Sequence, residues 1–322
     1  MHPDVRKRRT RSIIILLSVL AAISMVAFMT LGAKGSWSFI LSFRGAKLAA
    51  LVLIAYSIAV STVLFQTVME NRIVTPSIMG FDALYVLIQT VLVFAIGAGR
   101  VSALNPFLLF IVEAGLLLVF SILLYRWILS GAARSPHLLM LVGIVFGILF
   151  RSLSSFLQRI LDPSEFLILQ DRMFASFNMV DTSLLGVTGI VVAVVTVIII
   201  RMLPVFDVVA LGRNHATALG VDHNRTIIIM LSLISVLIAV STALVGPVTF
   251  FGLLVANLAY LILPTSRHAV VLPVASLIAV ITLVGGQVIL ERVFAFDTAL
   301  SVIIEFVGGL VFILLVVRGA AR

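Results

Sequence analysis

Apolar positions in this chain do not alternate with polar ones, as a half-buried strand requires, nor do they mark a single helical stripe. They run on. Ten stretches with few charges follow one another at 13–31, 48–68, 81–97, 106–129, 138–157, 184–200, 227–245, 248–263, 269–289 and 299–317. An α-helix needs about 17–25 apolar residues to cross the hydrocarbon core of a bilayer. The third, sixth and eighth stretches are short for that purpose. Lipid offers backbone amides no partners, so each segment has to satisfy its own, as a helix does. A barrel would need alternating strands of about 10 residues, and the sequence has none. The expectation is an all-α, polytopic membrane fold of about ten transmembrane helices, forming one domain over 1–322.

Three polar interruptions carry further expectations. The tail 1–11 holds Arg6, Lys7, Arg8, Arg9 and Arg11. It resembles the start of a signal peptide, but the apolar run behind it is too long and no small-residue cleavage site follows. It reads as a cytoplasmic tail before a retained first helix. The remaining Lys and Arg divide almost evenly between the two sides, so the tail sets the orientation. An even number of spans then leaves both termini inside. The stretch 158–183 falls outside. There Asp162, Pro163 and Glu165 have the spacing of a helix start with a capping box. Phe166, Leu167, Leu169, Met173 and Phe174 give this helix an apolar face to lay on the membrane. The stretch 205–225 falls on the cytoplasmic side. Asn214 suits the cap of a short helix over 215–219, with Gly220 as its left-handed stop. A helix so short is unstable alone, so the segment is either an ordinary polar loop or a helix docked on something.

Composition agrees with lipid contact: 62% of residues are hydrophobic, 11% are charged, and mean hydropathy is +1.29. A soluble surface needs roughly 25% charged residues. The net charge of +9 comes in good part from the tail and implies no nucleic-acid partner, since no soluble basic face exists to bind one. Cysteine is absent, which excludes disulfides, thiolate metal sites and cysteine nucleophiles. Residues 32–36 are glycine-rich but lack phosphate-loop spacing, so the chain is not expected to hydrolyse ATP, and no serine–histidine–acid set is evident. The five histidines, His2, His137, His215, His223 and His268, fall in tails, loops or helix ends without metal-ligand spacing. Solvated loops are the expectation for them. Asp82, Glu113, Glu291 and Glu305 lie in or near apolar runs, where a carboxylate is costly. They are either hydrogen-bonding groups between helices or the ion relay of a secondary transporter.

Four ordered blocks carry a resemblance. The run Asn71-Arg72-Ile73-Val74-Thr75-Pro76-Ser77-Ile78-Met79-Gly80 resembles the "R-N-P-L-A-D-P-x-x-L-G" signature of ABC-importer permeases for iron–siderophores, haem and cobalamin, the FecCD type. Leu141-Val142-Gly143-Ile144 with Asp162-Pro163 looks like the fifth helix and its exit. Ala218-Leu219-Gly220-Val221 resembles "A-R-x-L-G-V". The run Val245-Gly246-Pro247-Val248-Thr249-Phe250-Phe251-Gly252-Leu253-Leu254-Val255 resembles "x-G-P-I-x-F-V-G-L-V-V". Two departures, Asn71-Arg72-Ile73 for "N-P-L" and Ala256-Asn257-Leu258-Ala259-Tyr260 for "P-H-x-x-R", look like the branch importing ferric catecholate-type siderophores such as petrobactin or vibriobactin.

The resemblance implies a permease of the cobalamin-importer type in a bacterial cytoplasmic membrane. Its partner is a second permease subunit, a different chain in preference to a copy of itself. Two ATPase subunits hold the ATP and magnesium, an extracytoplasmic binding protein delivers a ferric siderophore, and this chain carries no cofactor or metal. The segment Asn214, His215, Ala216, Thr217, Ala218, Leu219 and Gly220 becomes the ATPase-coupling helix. Arg44 and Lys47 match a family "R-L-P-R" element, and Arg292 an arginine before the last helix. They would dock the binding protein, although Arg44 and Lys47 could equally anchor a helix end by snorkelling. The loop 131–137, with Arg134 and Ser135, matches the cytoplasmic gate, and Ser152, Ser154 and Ser155 would line the pathway. The competing expectation is an ion-coupled transporter using Glu113 and Glu305.

Overall fold

A computed structural model describes residues 3–32, 36–129, 136–175, 177, 181–293 and 300–320. Among them the chain forms thirteen α-helices and one 3-10 turn, with no strand. Each of the ten apolar runs falls for the most part in a helix: α1 (Pro3–Thr30), α2 (Trp37–Val68), α3 (Phe81–Ile96), α5 (Pro106–Leu129), α6 (Pro136–Gln158), α8 (Thr182–Val209), α10 (His223–Val245), α11 (Phe251–Ile262), α12 (His268–Arg292) and α13 (Leu300–Ala320). The shorter helices are α4 (Ala98–Ala103), α7 (Pro163–Met173) and α9 (Arg213–Ala218). Among the described residues seven helices are long and apolar enough to cross a membrane, while α3, α11 and the Leu300–Leu310 part of α13 are shorter.

Two expectations about length change. The run at 184–200 is not short, because α8 continues through Arg201 and past Pro204 to Val209. Pro204 stands near the end of the helix, where its missing N–H removes a single hydrogen bond and the chain continues. The basic tail is not a separate segment either: α1 begins at Pro3 and includes Arg6 to Arg11.

Helix α2 is the axis, most of its central window being covered by other helices. Small residues make this close packing feasible. Ala50, Ala55, Ser57, Ala59 and Ser61 are fully enclosed, and small side chains let helix backbones approach where lipid supplies no hydrophobic drive between them. The buried hydroxyls turn back on their own helix, as Ser57 does on the Leu53 carbonyl at 2.8 Å. By contrast, α1, α5, α6 and α8 present Ile15, Leu16, Leu123, Leu141, Ile148 and Ile190 outward. An apolar surface of that extent suits lipid and not water.

Between α2 and α3 the chain leaves helical geometry while still buried. Val74, Thr75, Pro76 and Met79 are covered, and the 3-10 turn Pro76–Met79 ends at Gly80 with φ +86°. Non-helical backbone at membrane depth is tolerated where protein surrounds it. Here α6 does so through two glycines. A Cβ added at Gly143 would lie 2.7 Å from Met79 Cα, and one at Gly147 would lie 3.5 Å from Gly80 Cα.

Because successive long helices run up and down, the bundle has two ends. The end of α1, the start of α2, α4 and α7, the junction at 245–251 and Arg292 lie at one, hereafter the α7 end. The C-termini of α2 and α8, α9 and the start of α12 meet at the other. Helix α7 forms as expected behind Pro163, but Asp162 makes no side-chain cap bond. Its Glu165 lies instead against Gly97, 3.1 Å from where a Cβ there would sit. Leu169 is fully buried with Val93, Ala98 and Val101, so part of the face expected to meet lipid packs on α3 and α4.

Candidate functional site

At the α9 end, α8 stops at Val209 and α9 follows after Gly212. Gly212, not Asn214, is the N-cap, and no side chain caps the helix. The C-terminus closes with the Gly220 N–H on the Thr217 carbonyl and the Val221 N–H on the Ala216 carbonyl, both at 3.0 Å. Gly220 has φ +81°, a left-handed residue that only glycine adopts without strain. Of the expected coupling residues, Ala216 is fully buried and seats the helix. Asn214, His215, Thr217, Ala218, Leu219 and Gly220 are all exposed. Leu211 and Leu219 are exposed at 57% and 63%, apolar groups on a polar end.

Beside α9 stands a cluster that the sequence reading missed. His268 is not in a solvated loop; it is the first residue of α12 and 2% exposed. Its Nδ1 lies 2.7 Å from Asp207 Oδ1, and its backbone N–H donates to the same oxygen at 2.8 Å. Its Nε2 lies 2.9 Å from Thr67 Oγ1. One imidazole therefore joins α2, α8 and α12, through Asp207 five residues before Gly212. Arg72 stacks over Tyr260, 4.5 Å from guanidinium carbon to ring centre. Gln66, Thr67, Glu70, Arg72, Gly212 and His268 are among the residues lining a cavity of about 320 Å³ here. The available signal was an aspartate and a histidine each adjoining a helix end on the same predicted side.

At the other end the three expected docking residues come together. Lys47 Nζ lies 2.7 Å from Glu291 Oε1, and Arg44 Nη2 lies 3.9 Å from Glu291 Oε2. Arg44 Nη1 donates to the carbonyls of Phe28 at 2.6 Å and Leu31 at 3.0 Å. Arg292 donates to the Leu31 carbonyl as well. The two arginines thus serve the orphan carbonyls at the end of α1, where cations are favoured. Lys47 is 8% exposed and points inward to Glu291, not outward to a partner.

A third feature lies between α3, α6, α7 and α13, a cavity of about 470 Å³. Ser154 and Ser155 line it, with Asp82, Arg151, Thr249, Ser301 and Glu305. Ser152 does not; it is exposed on the outward face of α6. Arg134 and Ser135, the expected gate, lie outside the described residues. The four intramembrane carboxylates do not form one chain. Glu113 accepts from Gln89 at 2.6 Å, an α3–α5 bond, Glu291 holds Lys47, and Glu305 accepts from Thr249 at 2.9 Å. Asp82 shares the lining of the larger cavity with Glu305 and Arg151. Among the described residues no group of three or more His, Cys, Asp or Glu could hold a metal ion.

The model of the FecCD transport family matches residues 10–318. The chain belongs to that family. It is a multi-pass membrane transport protein. The petrobactin import system permease protein YclO of Bacillus subtilis (strain 168) is 46% identical over 284 residues, covering 88% of this chain and 90% of that one. The petrobactin import system permease protein FatC of Bacillus anthracis is 36% identical over 86% of this chain and 78% of its own length. In fold, an inward-facing conformation of a metal-chelate type ABC transporter matches with TM-score 0.84 and 20% identity, covering 96% of this chain and 99% of that chain.

Three of the four FecCD-like blocks fall on irregular parts of the structure, while 141–144 lies within helix α6. The 71–80 block starts exposed at 71–73 and ends in the buried 3-10 turn under α6. The 218–221 block is the glycine stop of α9. In the 245–255 block, Gly246 has φ +93° and helix α11 does not begin until Phe251. Pro247 and Thr249 in that break line the larger cavity.

Proposed function

We propose that this FecCD-family chain is the permease subunit of an ABC importer carrying a ferric siderophore across the bacterial cytoplasmic membrane, with a petrobactin-type chelate as the first candidate. The similarity to two petrobactin import permeases over most of the chain supports the substrate class. Two ATPase subunits bind ATP and magnesium on the cytoplasmic side, a second and different permease chain completes the pathway, and an extracytoplasmic protein delivers the chelate. Both termini are cytoplasmic.

The observation that carries the reading is α9. It is a six-residue helix, too short to persist alone, held by a glycine stop and one buried alanine and exposed elsewhere. Its polar and apolar outer face suits a groove on an ATPase. Helix α8 runs into α9, and its Asp207 is bonded to His268 of α12, which in turn meets Thr67 of α2, so a push on α9 reaches α8 and through this cluster α12 and α2. At the α7 end Arg44 and Arg292 are the docking groups. Each guanidinium has five donors and keeps some beyond those used on α1, whereas Lys47 holds Glu291 in place. A metal already ligated by its chelator asks no ligands of the protein; small polar groups such as Ser154 and Ser155 let it pass.

Placing a charge on the exposed face of α9, Ala218→Asp, tests the coupling. The assembled importer should keep ATP hydrolysis and lose most ferric-chelate uptake, while the chain still inserts and folds. Uptake at the parent rate, with hydrolysis unchanged, would remove α9 from the coupling path.

A further inference from the structure

The larger cavity is built for more than passage. Asp82 is nine-tenths buried at the head of α3, and its Oδ2 has no hydrogen-bond partner among the described residues. Ser301 on α13, 3% exposed, lines the same cavity, and its Oγ has none either. A buried polar atom without a partner carries a standing cost of about 1–3 kcal/mol, and more when it is charged. Two of them on one cavity mark a place where a donor is missing. Around them are the Glu305 carboxylate and the Ser154, Ser155 and Thr249 hydroxyls. Among the described residues Arg151 is the one cationic group lining the cavity, beside two carboxylates.

The size and the remaining wall decide what kind of donor fits. The cavity of about 470 Å³ dwarfs the roughly 30 Å³ share of a single water, so a bare ion would rattle in it. Hard divalent cations take six or more oxygen ligands, and two carboxylates backed by hydroxyls do not supply them in a rigid cage. Phe166, Met173, Phe174 and Val86 give the rest of the wall an apolar part, beside the amides of Gln158 and Gln170. Aromatic faces attract organic cations, and aliphatic surface accepts a hydrocarbon stem.

We propose that the cavity between α3, α6, α7 and α13 binds an organic ammonium group on an aliphatic stem, with Asp82, Glu305 and Ser301 as its acceptors. The inference rests on the importer reading and deepens it: the chelate that passes here carries a protonated amine. Arg151, set against the same two carboxylates, weakens the binding of any second cation and tunes the affinity.

The test is a binding measurement that needs neither ATPase nor transport, so it can fail without touching the importer reading. The full chain in lipid nanodiscs is titrated with n-butylammonium chloride while thermal unfolding is followed. Sodium chloride, potassium chloride and n-butanol serve as matched controls. A ligand bound only by the folded state raises the unfolding temperature in a saturable way. The expected result is such a rise with butylammonium alone. Asp82→Asn and Glu305→Gln should each raise its half-saturation concentration at least ten-fold, and Arg151→Gln should lower it. Should Asp82→Asn prevent folding, Glu305→Gln and Arg151→Gln still carry the opposite signs. An equal rise with sodium or potassium, no rise in the parent chain, or a rise untouched by Glu305→Gln would each overturn the proposal.

Discussion

Lys47 Nζ and Glu291 Oε1 sit 2.7 Å apart, and both side chains are 9% exposed. Neither charge has much water to fall back on. Glu291 also accepts from Gln287 at 3.1 Å. Removing one partner of a covered ion pair leaves the other uncompensated, at a cost of about 3–5 kcal/mol, whereas replacing both with apolar groups is often neutral. Glu291→Gln should therefore lower the thermal stability of the chain in lipid markedly. Lys47→Met combined with Glu291→Leu should recover most of the loss. A Glu291→Gln variant as stable as the parent would mean that the pair contributes nothing. The inward turn of Lys47 was not legible in the sequence, because a lysine near the start of a helix reads as a residue snorkelling or docking outward. The partner that claims it lies 244 residues away, beyond the reach of any local pattern. His268 fails in the same manner, since its carboxylate is on α8 and its hydroxyl on α2.

Elements tell a different story, because their strongest signals are local. The ten apolar runs were legible since lipid demands long stretches with little charge, and such stretches are visible without any knowledge of packing. Helix ends were legible only where backbone conformation decided them. Gly220 stops α9 as expected, while Asn214 and Asp162, chosen for side-chain capping, make no cap bond. Capping side chains compete with whatever tertiary neighbours offer, and a left-handed turn does not. The apolar run also misled at element scale: it stops at 200, yet α8 continues to Val209. The glycines of α6 permit a direct test of element packing. Alanine is favoured over glycine in a helix interior by about 1 kcal/mol, but overpacking costs about 1–3 kcal/mol. Gly143→Ala puts a methyl 2.7 Å from Met79 Cα, a backbone atom that cannot swing aside, so the variant should be destabilised and poor in transport. Gly186 in α8 has nothing within 4 Å of such a methyl, so Gly186→Ala should be neutral or slightly more stable. Thermal unfolding of the two side by side decides it; equal behaviour would show that α6 can step back from the 3-10 turn.

On the importer reading proposed above, the two ends of the molecule meet different partners. The α9 end offers a mixed apolar and polar knob, suited to a partner that stays attached. The α7 end offers arginines around the end of α1, suited to a partner that arrives and leaves. Exposed ion pairs contribute little affinity each, roughly 0–1 kcal/mol. They act through long-range attraction, which raises association rates and is screened within about 10 Å at 0.1 M salt. Reversal of both groups, Arg44→Glu with Arg292→Glu, should slow association with the binding protein on the order of ten-fold at low salt. The gap should close as salt rises, and dissociation should change less. Because Arg44 and Arg292 also hold the α1 carbonyls, the unfolding temperature of the variant has to be measured beside the rate. A slower association that survives high salt would point to a displaced α1 and not to lost steering. Association indifferent to both the reversal and the salt would take the docking role away from this end, while leaving Lys47, already bound to Glu291, as the structural half of the cluster.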